Sequence, residues 1–308
     1  MRVADLFAGL GGWTESSVAA GAEVVFAANH WSLAVEVHSA NHKGTRHECQ
    51  DLRQYPWHQM PQYDVLVASP ACQGVSPAAR GARKFSEHVS RTHDSLRSTA
   101  WAVVDCIEVT RPKAAFIENV PDFLRWSKYP AWKMAIETDG YVVREWHLNA
   151  TWFGVPQRRN RLFISATRKD FDLSHPGLAG AEPDIGSVIR WNEGVWRPID
   201  RARPAARERI LRARDRFGSR CLSQHVTGHP GIPTTEAIRT ITTKDQWVVV
   251  DGDSYRPLLV PEVFQAMGFR SDYIIPKSVS RENALKLGGN AVCPPVGKWI
   301  IDRIGNAI

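Results

Sequence analysis

The feature that most constrains this chain is an alternation in its first half. Short apolar runs alternate with helix-like stretches, and each apolar run ends in a polar or glycine-rich loop. Residues 2–7, 23–28, 64–68, 113–118, 141–148 and 161–167 read as strands, and 13–20, 32–41, 94–110 and 129–138 as helices. Helices between strands are the crossovers that parallel pairing requires. The pattern therefore predicts an α/β fold, a doubly wound and mostly parallel sheet. Such a sheet binds ligands outside the carboxyl ends of its strands, so the loops that follow strands are where chemistry is expected.

Around residue 170 the texture changes. Residues 174–260 hold many Pro, Gly and Arg residues with little periodicity, and 201–220 carry eight Arg against Glu208 and Asp215. Short β-like pieces stand at 239–242 and 247–250, before helices at 261–267 and 296–304. The expected division is a large domain of residues 1–172 plus 256–308 and a small, irregular, basic one of 173–255. Over 308 residues, 39 Lys and Arg face 32 Asp and Glu, and the net charge of +7 favours a polyanionic partner. The basic stretch fits contact with a nucleic-acid backbone, or equally a solvated helix face. The five cysteines form no CxxC pair, which argues against a disulfide scaffold and a zinc finger and for a reducing compartment. No run approaches the roughly 20 apolar residues of a membrane span, and the first residues lack the apolar core of a signal peptide. A cytoplasmic protein without membrane or metal is expected.

The first strand runs into DLFAGLGG, residues 5–12. Glycines between a strand and a helix let a ligand approach the backbone at the helix start. The spacing is neither the GxGxxG of dinucleotide folds nor a P-loop. The second strand ends at Asn29, His30 and Trp31, where an acidic residue for ribose hydroxyls is often found. Trp31 suits stacking on a base, and His30 offers a hydrogen bond. His38 and His42, one helical turn apart, suggest a metal pair only weakly, because no third ligand is near in sequence. A solvated helix face is the expected reading.

The next strand leads into Ser69, Pro70, Ala71, Cys72, Gln73, Gly74, Val75 and Ser76. A cysteine just past a strand end is a candidate nucleophile. The following strand ends in Glu118, Asn119, Val120 and Pro121, which places a carboxylate where an acid would act. The run Gln157, Arg158, Arg159, Asn160, Arg161 puts two arginines two apart, so that both are expected on one side of a strand.

Each signal is modest, but their order is specific. DLFAGLGG, NHW, ACQGVS, ENV, QRRNR and GGNAV together resemble the ordered motifs of the cytosine-C5 methyltransferases, over residues 3–168 and again over 236–307. The resemblance implies an S-adenosylmethionine (AdoMet)-dependent enzyme acting on double-stranded DNA as a monomer. It implies an AdoMet-binding large domain and a target-recognition domain between QRRNR and IRTITTKDQW. It implies cofactor contacts from Phe7, Gly9 and Gly11, stacking by Trp31, and a bond from Asp51 to the adenine amino group. Asn290 of GGNAV would close over the cofactor. Cys72 would be the nucleophile, Glu118 would hold N3 of the cytosine, and Arg161 its O2, with Arg159 in the same motif. Gln73, Ser76 and Asn119 would contact the substrate. Residues 74–98 would form a lid whose Arg80 and Arg83 meet phosphates. Two positions depart from the family pattern: Ala71 replaces the usual Pro before the cysteine, and His30 replaces the usual carboxylate. The expected setting is restriction–modification or phage self-protection, with the target cytosine flipped out of the duplex. An RNA cytosine methyltransferase, such as one acting on tRNA, and a silent DNA-binding regulator are the alternatives.

Overall fold

The computed structural model describes residues 1–71, 98–178, 180–226 and 228–304. The chain divides into two compact units. The first is Met1–Asn149, Asn160–Pro176 and Val292–Ile308, and the second is Ala150–Arg159 and Gly177–Ala291. The second unit has other bounds than the expected 173–255: it begins at Gly177 and takes in 150–159 and 256–291.

The first unit is built on a sheet of seven strands. β1 (Arg2–Leu6), β2 (Glu23–Asn29), β3 (Arg46–Cys49), β4 (Val65–Ala68), β5 (Ala114–Asn119), β6 (Val142–Asn149) and the strand Asn160–Thr167 lie in the order β3-β2-β1-β4-β5-(Asn160–Thr167)-β6. The pairings β1–β2, β2–β3, β1–β4 and β4–β5 are parallel, and Asn160–Thr167 runs antiparallel to both β5 and β6. The expected doubly wound, mostly parallel sheet is thus present. Every residue of β4 and β5 is buried. Strands covered on both faces read as unbroken apolar runs, which is why these two were plain in the sequence. β3 escaped notice because its sequence is Arg-His-Glu-Cys, a polar strand on the sheet's edge.

Helices α1 (Gly12–Ala19), α2 (Ser32–Asn41), α3 (Trp101–Thr110) and α4 (Tyr129–Thr138) fall between these strands. The expected helix 94–110 is found from Trp101, after a 3-10 turn at Ser98–Ala100, and 94–97 lie outside the described residues. The core joins Leu6, Leu66, Ile117 and Ile164 of the sheet to Ile107 of α3 and Trp132 of α4. Trp132 also donates from its indole nitrogen to the Ala100 carbonyl at 2.9 Å.

The second unit holds a five-stranded antiparallel sheet and more regular structure than its composition suggested. Strands β7 (Gln157–Arg158), β8 (the Asn160–Thr167 strand already placed), β9 (Arg197–Pro198), β10 (Arg220–Gln224), β11 (Ile232–Pro233), β12 (Ile238–Arg239), β13 (Trp247–Asp251) and β14 (Ser254–Pro257) complete the chain. The order in the five-stranded sheet is β11-β10-β13-β14-β9, and β12 pairs with β7. The arginine-rich stretch is a helix, α5 (Pro204–Phe217), whose Ile210 and Ala213 pack on Cys221, Val248 and Val250. Helices α6 (Val260–Ala266) and α7 (Arg281–Asn290) follow, and α7 is capped by the Ser280 hydroxyl on the Asn283 amide.

The last helix, α8 (Pro294–Ile304), returns to the first unit and packs on α1. The Ser16 hydroxyl joins the two, 2.6 Å from the Gly12 carbonyl and 3.0 Å from that of Pro294. Small residues allow this approach: a Cβ on Gly12 would run into the Val292 carbonyl, and one on Gly297 into the Ser16 side chain. Backbone cannot yield as a side-chain tip can. Gly12→Ala should therefore destabilise the chain by about 2–4 kcal/mol, read from urea denaturation. A loss below 0.5 kcal/mol, roughly that of a neutral surface change, would show that α8 does not hold this close contact.

Candidate active site

The sheet order brings the expected site residues to one edge. β1, β2, β3, β4 and β5 are parallel neighbours, so their carboxyl ends lie side by side. Phe7, Gly9 and Gly11 follow β1, His30 and Trp31 follow β2, and Asp51 follows β3. Glu118 and Asn119 end β5. Arg161 is the second residue of a strand antiparallel to β5, with Leu162 opposite Asn119 and Phe163 opposite Glu118, so it arrives at the same edge. Cys72, Gln73, Ser76, Arg80, Arg83 and nearly all of the expected lid lie outside the described residues.

The loop after β1 is unusual in its backbone. Phe7, Gly9 and Gly11 have φ of 58°, 54° and 88°. For Phe7 that is a sparsely populated conformation, and such conformations cluster at ligand sites. The loop is held by the Ala8 amide on the Ala28 carbonyl (3.1 Å) and the Gly11 amide on the Ala8 carbonyl (2.8 Å). Asp5, which opens the loop, is fully buried, and one carboxyl oxygen accepts from Thr14 Oγ1 at 2.8 Å. Its other oxygen, Oδ1, has no hydrogen-bond partner among the described residues. An acid inside an otherwise apolar strand was the signal for Asp5, and the sequence reading passed over it. An orphaned buried carboxyl oxygen beside a loop of positive φ fits a site for a polar, cationic cofactor such as a sulfonium amino acid nucleoside.

The residues expected on the adenine side are partly legible. His30 is exposed, Trp31 is half-buried, and the Trp31 amide donates to Asn29 Oδ1 at 2.9 Å. Asp51 caps a 3-10 turn through the Arg53 amide (3.0 Å) and is gripped by the Arg53 guanidinium, with Nε 2.9 Å from each oxygen. These bonds from Arg53, and to a smaller extent the charge of His30, hold the Asp51 carboxyl below the usual range. With the Arg53 Nη2 bond to Oδ2 added, Arg53 makes four bonds to a carboxylate with about four acceptor positions, so an amino group at Asp51 would replace part of that grip.

At the other end of the row, Glu118 and Arg161 form an ion pair, Nε to Oε1 at 3.2 Å, with side chains 8% and 16% exposed. Asn119 donates to the Pro70 carbonyl at 3.2 Å, and its amide oxygen accepts from the Val120 backbone at 2.9 Å. This bond ties the loop leading to Cys72 against the end of β5. The two arginines of the QRRNR run do not share a face. Arg159 is 2% exposed and donates to the carbonyls of Ile241, Gly289 and Ala291 at 3.0–3.2 Å, all within the second unit. Period-two alternation fails because Arg159 falls between β7 and β8 rather than inside a strand. Asn290 is exposed at the end of α7, also in the second unit.

The expectation of a solvated face for His38 and His42 is overturned: they are 1% and 9% exposed. Both lie against Gly11, where a Cβ would meet the His38 ring at 2.9 Å and His42 Nε2 at 3.2 Å. The sequence showed a helical pair, but not the third histidine, His47, which β3 carries alongside.

A doubly wound, mostly parallel sheet with polar side chains along its carboxyl edge is consistent with the methyltransferase fold. Comparison with known proteins makes this specific. The family model for C-5 cytosine-specific DNA methylases matches residues 1–194 and 191–306, and the chain belongs to that family. It is similar to the Type II methyltransferase M.MspI of Moraxella sp, 27% identical over 311 residues, covering 99% of this chain and 70% of the relative. It is also similar to the Type II methyltransferase M.NlaX of Neisseria lactamica, 25% identical over 330 residues, covering 100% and 97%. Among solved structures, DNMT2 of Spodoptera frugiperda superposes with a TM-score of 0.72 at 18% identity, covering 99% of each chain. Dnmt2 of S. pombe gives 0.68 at 16%, covering 100% of this chain and 99% of that one. At such identities the structural likeness speaks for the fold. The protein is a DNA cytosine-C5 methyltransferase that uses a methyl donor. No described helix is long and apolar enough to cross a membrane, and no metal-binding group occurs among the described residues.

Asp5 supplies a test of the buried geometry. Burial raises its carboxyl from the ordinary 3.8 to about 7, and the Thr14 bond opposes that only in part. Between those values the folded chain keeps a proton that the unfolded chain has lost. The contribution of Asp5 to stability is therefore full below pH 4 and falls as pH rises to about 7. The separation corresponds to about 4 kcal/mol. Asp5→Asn should remove this slope. Urea denaturation at pH 4 and pH 8 should show the variant gaining on the wild type by up to that amount, and a constant difference would mean that Asp5 is not desolvated.

Proposed function

We propose that this chain methylates cytosine at C5 within a specific sequence of double-stranded DNA, with AdoMet as donor, in a restriction–modification setting. The observation that carries the site assignment is the Glu118–Arg161 ion pair at the carboxyl edge, beside a β4 loop tied down by Asn119. The Type II names of the relatives support the biological setting.

Cytosine C5 is a weak nucleophile. The Cys72 thiolate adds to C6, and the electron pair of the C5–C6 bond moves into the ring toward N3. Glu118, protonated or sharing a proton with N3, offsets the negative charge that builds there, and Arg161 holds O2. AdoMet supplies an electrophilic methyl group on sulfur. With that methyl on C5, loss of the C5 proton sends its electron pair into the C5–C6 bond, and the C6–S bond breaks to release the Cys72 thiolate. A duplex hides C6, so the base leaves the stack. The Glu118–Arg161 pair supports this reading, because a flipped base takes both groups by exchanging one partner for another. The loop of Phe7, Gly9 and Gly11 would hold the donor, with Trp31 on the adenine and Asp51 at its amino group. Arg159, with three carbonyl partners, supports the site as an anchor rather than at the base.

Two of the other cysteines suit nucleophilic chemistry poorly. Burial pushes Cys106 up to about 12 and Cys221 up to about 11. Duplex DNA with 5-fluorocytosine at the target should therefore give a denaturant-resistant adduct with the wild type and none with Cys72→Ala. An adduct mapped to Cys49, Cys106, Cys221 or Cys293 would remove Cys72 from the mechanism.

On α5, Arg209, Arg212 and Arg216 recur at i, i+3 and i+7 and so share one flank, with Arg212 and Arg216 exposed. Phosphate contact there is salt-sensitive and indifferent to sequence. Arg212→Gln with Arg216→Gln should weaken binding to all duplexes alike and flatten the salt dependence by about one unit of slope per lost contact. An unchanged slope in a salt titration would make the flank a solvated face.

A further inference from the structure

Beneath the glycine-rich loop lies a set of side chains that the methyl-transfer chemistry leaves unused. The rings of His38 and His42 are 4.7 Å apart between centroids, and those of His38 and His47 are 4.9 Å apart. The arrangement is not a metal site. His38 Nδ1 and His47 Nε2 stand 2.7 Å from each other, a hydrogen bond that leaves no space for an ion between them.

The bonds form one chain. Asp5 Oδ2 accepts from the Thr14 hydroxyl at 2.8 Å. Thr14 Oγ1 lies 3.0 Å from His38 Nε2, and His38 Nδ1 bonds His47 Nε2, with donor and acceptor set by the ring tautomers. Burial, reinforced by the two neighbouring imidazoles, keeps His38 neutral. His42 stands beside the chain and faces Glu15 at 3.3 Å.

The chain reaches both ends of the loop. Asp5 is its first residue, and the His38 ring abuts Gly11. Phe7 and Gly9 lie between them and, with Gly11, have positive φ, a backbone that persists only when its surroundings hold it. Asp5 Oδ1, buried and without a partner among the described residues, marks the same place as one that a ligand completes.

We propose that Thr14 and His38 are positioning residues for the methyl donor, and that the chain His47–His38–Thr14–Asp5 holds the loop in the form that receives it. The proposal rests on the reading that this loop binds AdoMet.

The test is calorimetric titration of the full chain with AdoMet, without DNA. Thr14→Val keeps the volume and removes the hydroxyl, whereas Thr14→Ser keeps the hydroxyl. His38→Phe keeps a ring against Gly11 and removes both nitrogens. Thr14→Val and His38→Phe should each weaken AdoMet by about 10-fold, the usual size for a buried partner left unpaired, and Thr14→Ser by no more than about 2-fold. The double variant should bind about as well as the weaker single variant, because one chain is broken only once. Multiplying losses in the double variant, or equal losses for Ser and Val at position 14, would overturn the proposal. So would unchanged affinity in both single variants of a wild type that binds AdoMet. A wild type that does not bind AdoMet at all would remove the cofactor reading and the proposal with it. Should His38→Phe fail to fold, the Val and Ser variants of Thr14 decide alone.

Discussion

The position of β1 in the sheet governs everything built on it. β2 and β3 lie to one side of β1, and β4 and β5 to the other. Right-handed crossovers laid in opposite directions must pass over opposite faces, so the loops at the carboxyl ends of β1 and β4 diverge. In the proposed site the donor-side residues follow β1, β2 and β3, whereas the base-side residues follow β4 and end β5. The two substrates of a transfer reaction would thus meet at neighbouring strand ends without any special insertion. The antiparallel strand β8 adds one more group. Its first residues lie beside the last residues of β5, and Arg161 meets Glu118 for that reason. A parallel strand of eight residues there would carry Arg161 to the opposite edge, roughly 25 Å away at 3.3 Å per residue.

Two buried carboxyl groups show how differently one edge treats the same chemistry. Glu118 has a guanidinium at 3.2 Å, whereas Asp5 has one hydroxyl and no cation among its described partners. Desolvation dominates at Asp5 and drives its carboxyl up to about 7. A carboxylate beside a fixed cation keeps its charge, whereas one without such a cation tends to hold its proton. The strand ends therefore offer two environments of distinct polarity, one on either side of the reversal.

Much of the fold was legible because buried parallel strands leave an unmistakable signal. Val65–Ala68 and Ala114–Asn119 are apolar throughout or nearly so, and their ends located Glu118. The order of motifs then named the family. What the sequence hid has particular causes. Arg46–Cys49 is polar because one of its sides pairs with nothing in the sheet. The helix Pro204–Phe217 buries only Ile210 and Ala213, too few apolar positions to show a period among so many arginines. His38 and His42 read as surface residues because burial of a histidine depends on a partner distant in sequence, here Thr14 and His47. The cofactor and nucleophile assignments came from the motifs themselves, and for Cys72 the motif remains their support.

The QRRNR run shows how a short motif can serve two ends. Gln157 is fully buried. It donates to the Ala266 carbonyl at 3.0 Å and accepts from the Ile241 amide at 2.9 Å, both within the second unit. Arg158 pairs with Glu182 and Glu236 there, and Arg159 caps three carbonyls of the same unit. Arg161, two residues on, belongs to the first unit and pairs with Glu118. A buried arginine cannot shed its charge, and its rigid fork of donors must find acceptors in fixed directions. Arg159 finds them in main-chain carbonyls, which no substitution on the neighbouring segments can remove. That makes the start of the motif a rigid reference for the segments of Ile241, Gly289 and Ala291. It also explains why arginine rather than lysine stands there: a lysine has three donors around one point, and carbonyls spread across a planar fork would leave at least one acceptor unmet.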